Sequence, residues 1–260
     1  MLHRLLREPP FRLLAKMLTR VGAHSLSSKV LWEAAERPQY ALGVLFAARL
    51  AKELKIPEII AIEFGVASGE GLLALAVMSA QAEEETGTRI LVYGFDSGIG
   101  LPPSSDPRDH PDKWRAGDYP LDPHVRYRLN RNTRLILGDV ADTVPKFVAA
   151  QTAPVGFAAM DLDLYSSTRA ALELFTLPNA QMLPKTALYF DDIVQHFNHS
   201  FAGELLAIDE FNLETAAVKI DRWRGIQEFT AFSDSLWASQ MYIAHQLAVT
   251  PTSRRELAMP

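Results

Sequence analysis

The chain contains no cysteine, which excludes disulfides, thiolate zinc sites and cysteine nucleophiles and agrees with a cytoplasmic setting. Long apolar runs are missing too: Arg49, Lys52, Glu53 and Lys55 interrupt the longest candidate near the amino end, well short of a membrane span. Residues 1–22 lack a clean signal-peptide core and cleavage site, so a soluble protein is expected. Positive charge is not in excess. The balance of 26 basic and 31 acidic residues leaves a net charge of −5, which argues against a general nucleic-acid binder. Internal repeats and low-complexity tracts are absent. So is the dinucleotide pattern G-x-G-x-x-G, because Ala67 and Glu70 hold its second and third glycine positions counted from Gly65.

What is present is an alternation of apolar strand-like runs with helical patterns, the mark of a mostly parallel sheet covered on both faces. With 260 residues, a single α/β domain is large enough to bury one extensive core. Strands are expected at 58–64, 90–95, 134–137, 155–160 and 186–190, and helices at 71–82, 142–150 and 167–177, the last capped by Ser166 or Ser167. A helix at about 203–214 and two β-rich runs, 217–223 and 237–247, follow, and the two runs suit an antiparallel closure of the sheet. Residues 40–54 are apolar around most of a helix, as a buried helix before the sheet would be. Residues 2–20 carry five Arg or Lys against one Glu and read as an amphipathic arm. That arm would pack on its own domain or on a second subunit, the latter making a homo-oligomer. The expected organisation is a helical arm over 1–50 and a main domain over 51–260.

Carboxylates recur where strands end. Asp161 closes the run 155–160, and Asp191 and Asp192 close 186–190. Charged groups there sit at the mouth of an α/β sheet, where ligands bind, and three of them form a hard, oxygen-rich site for a divalent cation. Asp96 ends the second strand, where a carboxylate can accept both hydroxyls of a ribose, and Asp139 follows the third, placed to accept from an adenine amine. The first strand runs through Glu63-Phe64-Gly65-Val66-Ala67-Ser68-Gly69-Glu70-Gly71 into a helix. Such a turn lets a ligand approach the backbone closely, and its acid is poised for a cationic amine. Each acid taken alone also reads as a helix cap or a solvated loop residue. The irregular stretch 97–132, with Trp114 among charged residues, reads as a cover over the site.

Taken in order, these blocks resemble class I S-adenosylmethionine-dependent methyltransferases, and among them the macrocin O-methyltransferase (TylF-like) family. The resemblance rests on the glycine turn, Tyr93-Gly94-Phe95-Asp96-Ser97 with Gly100-Leu101-Pro102, Gly138-Asp139 with Asp142-Thr143-Val144-Pro145, Asp161-Leu162-Asp163-Leu164-Tyr165-Ser166-Ser167-Thr168, Phe190-Asp191-Asp192, and Ala207-Ile208-Asp209-Glu210-Phe211. It implies a Rossmann-like, mostly parallel seven-stranded sheet with an antiparallel closing strand. It implies S-adenosylmethionine as cofactor, with Gly65, Ser68 and Gly69 at the turn, Glu63 on the methionine amine, Asp96 and Ser97 at the ribose, and Asp139 and Val140 bordering the adenine. Asp161, Asp191 and Asp192 would hold a metal, with Mg²⁺ the expected ion. Gly98-Ile99 stands where the family would carry an aromatic-acid pair, which leaves the acceptor open.

A sulfonium methyl is already activated, so the remaining task is to align a deprotonated acceptor and exclude water. A diol chelated by a metal is held in register with a lowered hydroxyl pKa. Asp161 or Asp163 could relay the proton, and His196 and His199 are alternative bases or plain surface residues. The reading is O-methylation of a small hydroxylated acceptor, such as a sugar or glycosylated natural product. A metal-independent methyltransferase and a noncatalytic nucleoside-binding module are the alternatives.

Overall fold

The computed structural model describes residues 10–21, 24–231 and 235–247. The chain runs α1 (Pro10–Val21), α2 (Leu26–Leu31), α3 (Pro38–Glu53), β1 (Glu58–Phe64), α4 (Glu70–Thr86), β2 (Arg89–Asp96), α5 (Val125–Arg128), β3 (Thr133–Leu137), α6 (Val140–Ala149), β4 (Val155–Met160), α7 (Tyr165–Leu172), β5 (Met182–Phe190), α8 (Gly203–Glu214), β6 (Val218–Arg222) and β7 (Met241–Gln246). The strands form one seven-stranded sheet in the order β3-β2-β1-β4-β5-β7-β6. β1 to β5 are parallel, and β7 lies antiparallel between β5 and β6. The expected mostly parallel Rossmann-like sheet is therefore present, with its antiparallel strand inserted one position in from the edge.

β1 and β4 are buried along nearly their whole length, as strands covered on both faces must be. Alternate residues feed two cores. Ile59, Ala61 and Phe157 pack with α3 and α4 on one face, while Ile60, Ile62 and Phe64 pack with α6, α7 and α8 on the other. The closeness of α3 to the sheet depends on Gly43, where a Cβ would stand 2.3 Å from the Phe157 ring. α3 begins with Pro38 at its first turn, where a missing N–H costs nothing, and is buried nearly all round, as its composition predicts. It spans residue 50, so the expected division between arm and main domain falls inside this helix. α1 is amphipathic, with Leu14, Met17 and Leu18 exposed and Lys16 within 3.7 Å of Glu33. Residues 2–9 of the expected arm and residue 247's successors lie outside the described residues. No helix among the described residues is long and apolar enough to cross a membrane.

Two local expectations are corrected. Neither Ser166 nor Ser167 caps α7, which starts at Tyr165 and ends at Leu172 before a 3-10 turn. One of its first-turn N–H groups is met from a distant segment: the buried Asp109 accepts from the Ser166 backbone N–H at 2.7 Å and from the Ser166 hydroxyl at 2.9 Å. The second concerns 237–247, where only Met241–Gln246 is a strand and Leu236–Gln240 is a 3-10 turn.

Candidate functional site

The C-terminal ends of β1 to β5 share one edge, and the order reverses between β1, which leads outward to β2, and β4 on its other side. A cavity of about 430 Å³ opens there, lined among others by Gly65, Ala67, Asp96, Ser97, Gly138, Asp139, Val140, Asp161, Asp163, Asp191 and Asp192. Residues from five strand ends thus meet at one cavity, although they are spread over more than a hundred positions of chain.

On the β1–β3 side the backbone shapes the site. Gly65 adopts φ +82°, and a Cβ there would lie 1.8 Å from the Asp161 carbonyl oxygen, so only glycine lets β1 and β4 approach at this point. Asp96 Oδ2 accepts the N–H groups of Val66 and Ala67, each at 2.9 Å, and Oδ1 accepts that of Gly98 at 2.7 Å. Asp96 therefore braces the turn as well as facing the cavity. Asp139 caps α6 through the Ala141 N–H at 2.9 Å, and its other carboxylate oxygen is open to a ligand. Ser97 donates to the Gly100 carbonyl at 2.7 Å. Gly69 shapes the turn from beneath Val125, and neither it nor the exposed Ser68 lines the cavity. Glu63 also lies behind the lining. It is buried, with Oε1 accepting from the Tyr40 hydroxyl at 2.7 Å and Oε2 without a partner among the described residues. Burial pushes its carboxyl up to about 8, against the lowering influence of Tyr40 and Arg37.

On the β4–β5 side the side chains dominate. Oxygens of Asp161, Asp191 and Asp192 lie within 4.8 Å of one another. Asp163 adopts φ +60°, a conformation Asp tolerates better than most residues, and its N–H donates to Asp192 Oδ2 at 3.2 Å. Gln195 donates to Asp192 Oδ1 at 2.9 Å, the Tyr189 hydroxyl donates to Asp191, and Gln240 holds the Asp191 carbonyl at 2.7 Å. Burial, followed by repulsion from Asp191 and Asp192, raises the Asp161 carboxyl well above its ordinary range. Burial likewise lifts Asp163 to about 6 and Asp192 to about 8. That donor set, all carboxylate oxygen, fits a hard divalent ion.

Composition gave no notice of Glu204, which is fully buried behind this cluster and takes the Asp192 N–H at 3.0 Å. Its helical spacing does: Glu204, Ala207, Ile208 and Phe211 form the inward stripe of α8, so an acid there had to be buried. His196 is exposed and outside the cavity lining, whereas its neighbour Gln195 faces in. His199 is exposed as well.

The stretch 97–132 is irregular apart from α5 and a 3-10 turn at Pro107–Asp109. It covers the cavity with Leu101, Pro102, Pro103, Trp114 and Tyr119. Asp109 fixes it to α7, and Arg108 stacks on Tyr165 at 4.3 Å while donating to its hydroxyl at 2.9 Å. At its far end the Asp122 N–H reaches the Ala67 carbonyl at 2.9 Å.

No family model matches the chain, and no curated protein does. Among solved structures, CalS11, described as a calicheamicin methyltransferase, superposes with a TM-score of 0.53 at 20% identity, covering 94% of this chain and 95% of that one. The MycE methyltransferase of the mycinamycin pathway, in complex with Mg, SAH and mycinamycin VI, gives 0.43 at 10% identity over 77% of this chain and 48% of its own. TomG, an O-methyltransferase from Streptomyces achromogenes in complex with SAM, gives 0.42 at 12% identity over 90% and 96%. The likeness to CalS11 is one of fold along nearly the whole of both chains.

Proposed function

We propose that this chain is an S-adenosylmethionine-dependent O-methyltransferase of the macrocin O-methyltransferase type, acting on a small hydroxylated acceptor such as a sugar or glycosylated natural product. The observation that carries the reading is the single cavity in which the nucleoside-facing Asp96 and Asp139 meet the carboxylates Asp161, Asp191 and Asp192. Its fold, shared with CalS11, supports it.

Asp96 receives a ribose hydroxyl at the one Oδ1 lone pair its three N–H partners leave open, and Asp139 and Val140 border the base. Asp161, Asp191 and Asp192 would hold Mg²⁺, which supplies charge stabilisation to an ionising hydroxyl. Trp114 and Tyr119 close the acceptor side and exclude water. Asp163, with its carboxyl lifted to about 6, takes the proton from the acceptor hydroxyl. The hydroxyl oxygen attacks the methyl carbon, the carbon–sulfur bond breaks with its electron pair going to sulfur, and S-adenosylhomocysteine and a methyl ether leave.

Incubating the chain with methyl-labelled cofactor and a panel of sugars, nucleotide sugars and glycosides, with Mg²⁺ or with chelator, tests this. Label transfer that needs Mg²⁺ is expected. Equal transfer in chelator would establish the metal-independent alternative, and cofactor binding without transfer to any acceptor would favour the binding module.

A further inference from the structure

Arg37 stands at the N-terminus of α3, half buried, with its guanidinium carbon 5.2 Å over the ring of Tyr40. Among the described residues its side chain has no hydrogen bond and no carboxylate within ion-pair reach. Five N–H donors in a fixed fork are rarely left without an acceptor at a half-buried position. The acids that bear on it electrostatically are Glu63 and Asp161, and Asp161 lines the cavity. The hydroxyl of the same Tyr40 holds Glu63 Oε1 at 2.7 Å, while Glu63 Oε2, in a residue only 1% exposed, has no partner.

A cation and an acid are thus organised by one phenol, each with bonding capacity unused among the described residues; neither lines the cavity, but Glu63 lies two residues before Gly65, which does. An α-amino acid head matches that pair: its ammonium takes a carboxylate oxygen and its carboxylate takes a guanidinium fork. We propose that Arg37 binds the α-carboxylate at the methionine end of the cofactor, with Glu63 taking the α-ammonium. This rests on the S-adenosylmethionine reading above and adds a residue from outside the Rossmann-like core to the binding site. Arg37 is a binding residue in this assignment and takes no part in the chemistry. Were it only a clamp on Tyr40, its replacement would loosen α3 and weaken every ligand of the cavity alike.

Calorimetry with S-adenosylhomocysteine and with 5′-methylthioadenosine, which lacks the amino acid head, separates the two. In Arg37→Met, S-adenosylhomocysteine should bind about 10- to 100-fold more weakly, as for a lost charge-assisted contact, with methylthioadenosine unchanged. Arg37→Lys should recover part of the loss. Unchanged S-adenosylhomocysteine affinity, or an equal loss for both ligands, would overturn the assignment. Should Arg37→Met not fold, the wild-type protein decides: it should prefer S-adenosylhomocysteine over its decarboxylated analogue by at least about tenfold, and equal affinity would overturn the role of Arg37 alone. A wild-type chain that binds methylthioadenosine and S-adenosylhomocysteine not at all would remove the cofactor reading itself.

Discussion

The two halves of the cavity are built on opposite principles. At the ends of β2 and β3 the acids are served by the protein: Asp96 takes three backbone N–H groups and Asp139 one, and the glycine turn beside them is locked against β4. At the ends of β4 and β5 the acids face one another, with Asp161, Asp163 and Asp192 all raised by burial and mutual repulsion. The first half is braced by hydrogen bonds, whereas the second gathers carboxylates whose mutual repulsion a divalent cation would relieve. Substitutions should therefore act differently on the two sides.

The largest effect is expected at Gly65. Gly65→Ala meets both a left-handed φ and a Cβ 1.8 Å from a backbone oxygen, so at least about 3 kcal/mol of stability should be lost. Denaturant unfolding measures it, and a loss below about 1 kcal/mol would show that β1 and β4 part easily.

Next comes the pH dependence of the acid half. Folded carboxyls at about 6 for Asp163 and about 8 for Asp192 bind protons that the unfolded chain, near 3.8, has released. Without divalent ion, stability should therefore fall as pH rises from about 4 to 8, the reverse of a salt-bridged acid. Saturating Mg²⁺ should flatten that fall and raise the melting temperature near pH 8, adding about 2.7 kcal/mol of stability at a hundredfold excess over Kd. Melting curves that keep the same pH slope with and without Mg²⁺ would erase the contrast between the halves.

Glu63 gives a finer test. Its carboxyl, lifted to about 8, is largely protonated at pH 7 and must ionise to pair with an ammonium. Binding of S-adenosylhomocysteine at pH 7 should then release protons, seen as a dependence of the calorimetric enthalpy on the buffer's ionisation enthalpy. Glu63→Gln should remove it; an unchanged release would place the proton elsewhere.

Removing the Asp109 brace should cost less. Asp109→Ala takes away the cap of α7 and the anchor of 97–132, with about 1–2 kcal/mol of stability and faster proteolysis within that stretch. Proteolysis at the wild-type rate would show the cover to be held by other contacts. The smallest effect belongs to His196→Ala, because an exposed imidazole outside the cavity has nothing to contribute. Turnover within about twofold of wild type is expected, against a loss of at least about a hundredfold in Asp163→Asn. The converse ranking would make His196 the base.

Much of this was legible in the sequence, because parallel strands buried on both faces leave near-continuous apolar runs and their terminal acids stand out. Glu58–Phe64 and Val155–Met160 were read to the residue, and Asp96, Asp139, Asp161, Asp191 and Asp192 do converge. Long-range partners left weaker traces. A serine at the start of α7 looks like its cap, yet the capping oxygen arrives from Asp109, 57 positions earlier, and no local pattern carries that. Glu204 was readable from its helical stripe, whereas the exposure of His196 depends on how the turn after β5 is routed, with Gln195 inward. Arg37 is silent in sequence, since its interest lies in which acids it is placed beside.

Titration with Mn²⁺ followed by electron paramagnetic resonance, on the wild-type chain and on Asp191→Asn and Asp192→Asn, tests the division most directly. One tight Mn²⁺ per chain is expected in the wild type and a loss of at least about tenfold in each variant, with S-adenosylhomocysteine affinity unchanged. Equal Mn²⁺ binding by all three proteins, or no binding by any, would contradict the account.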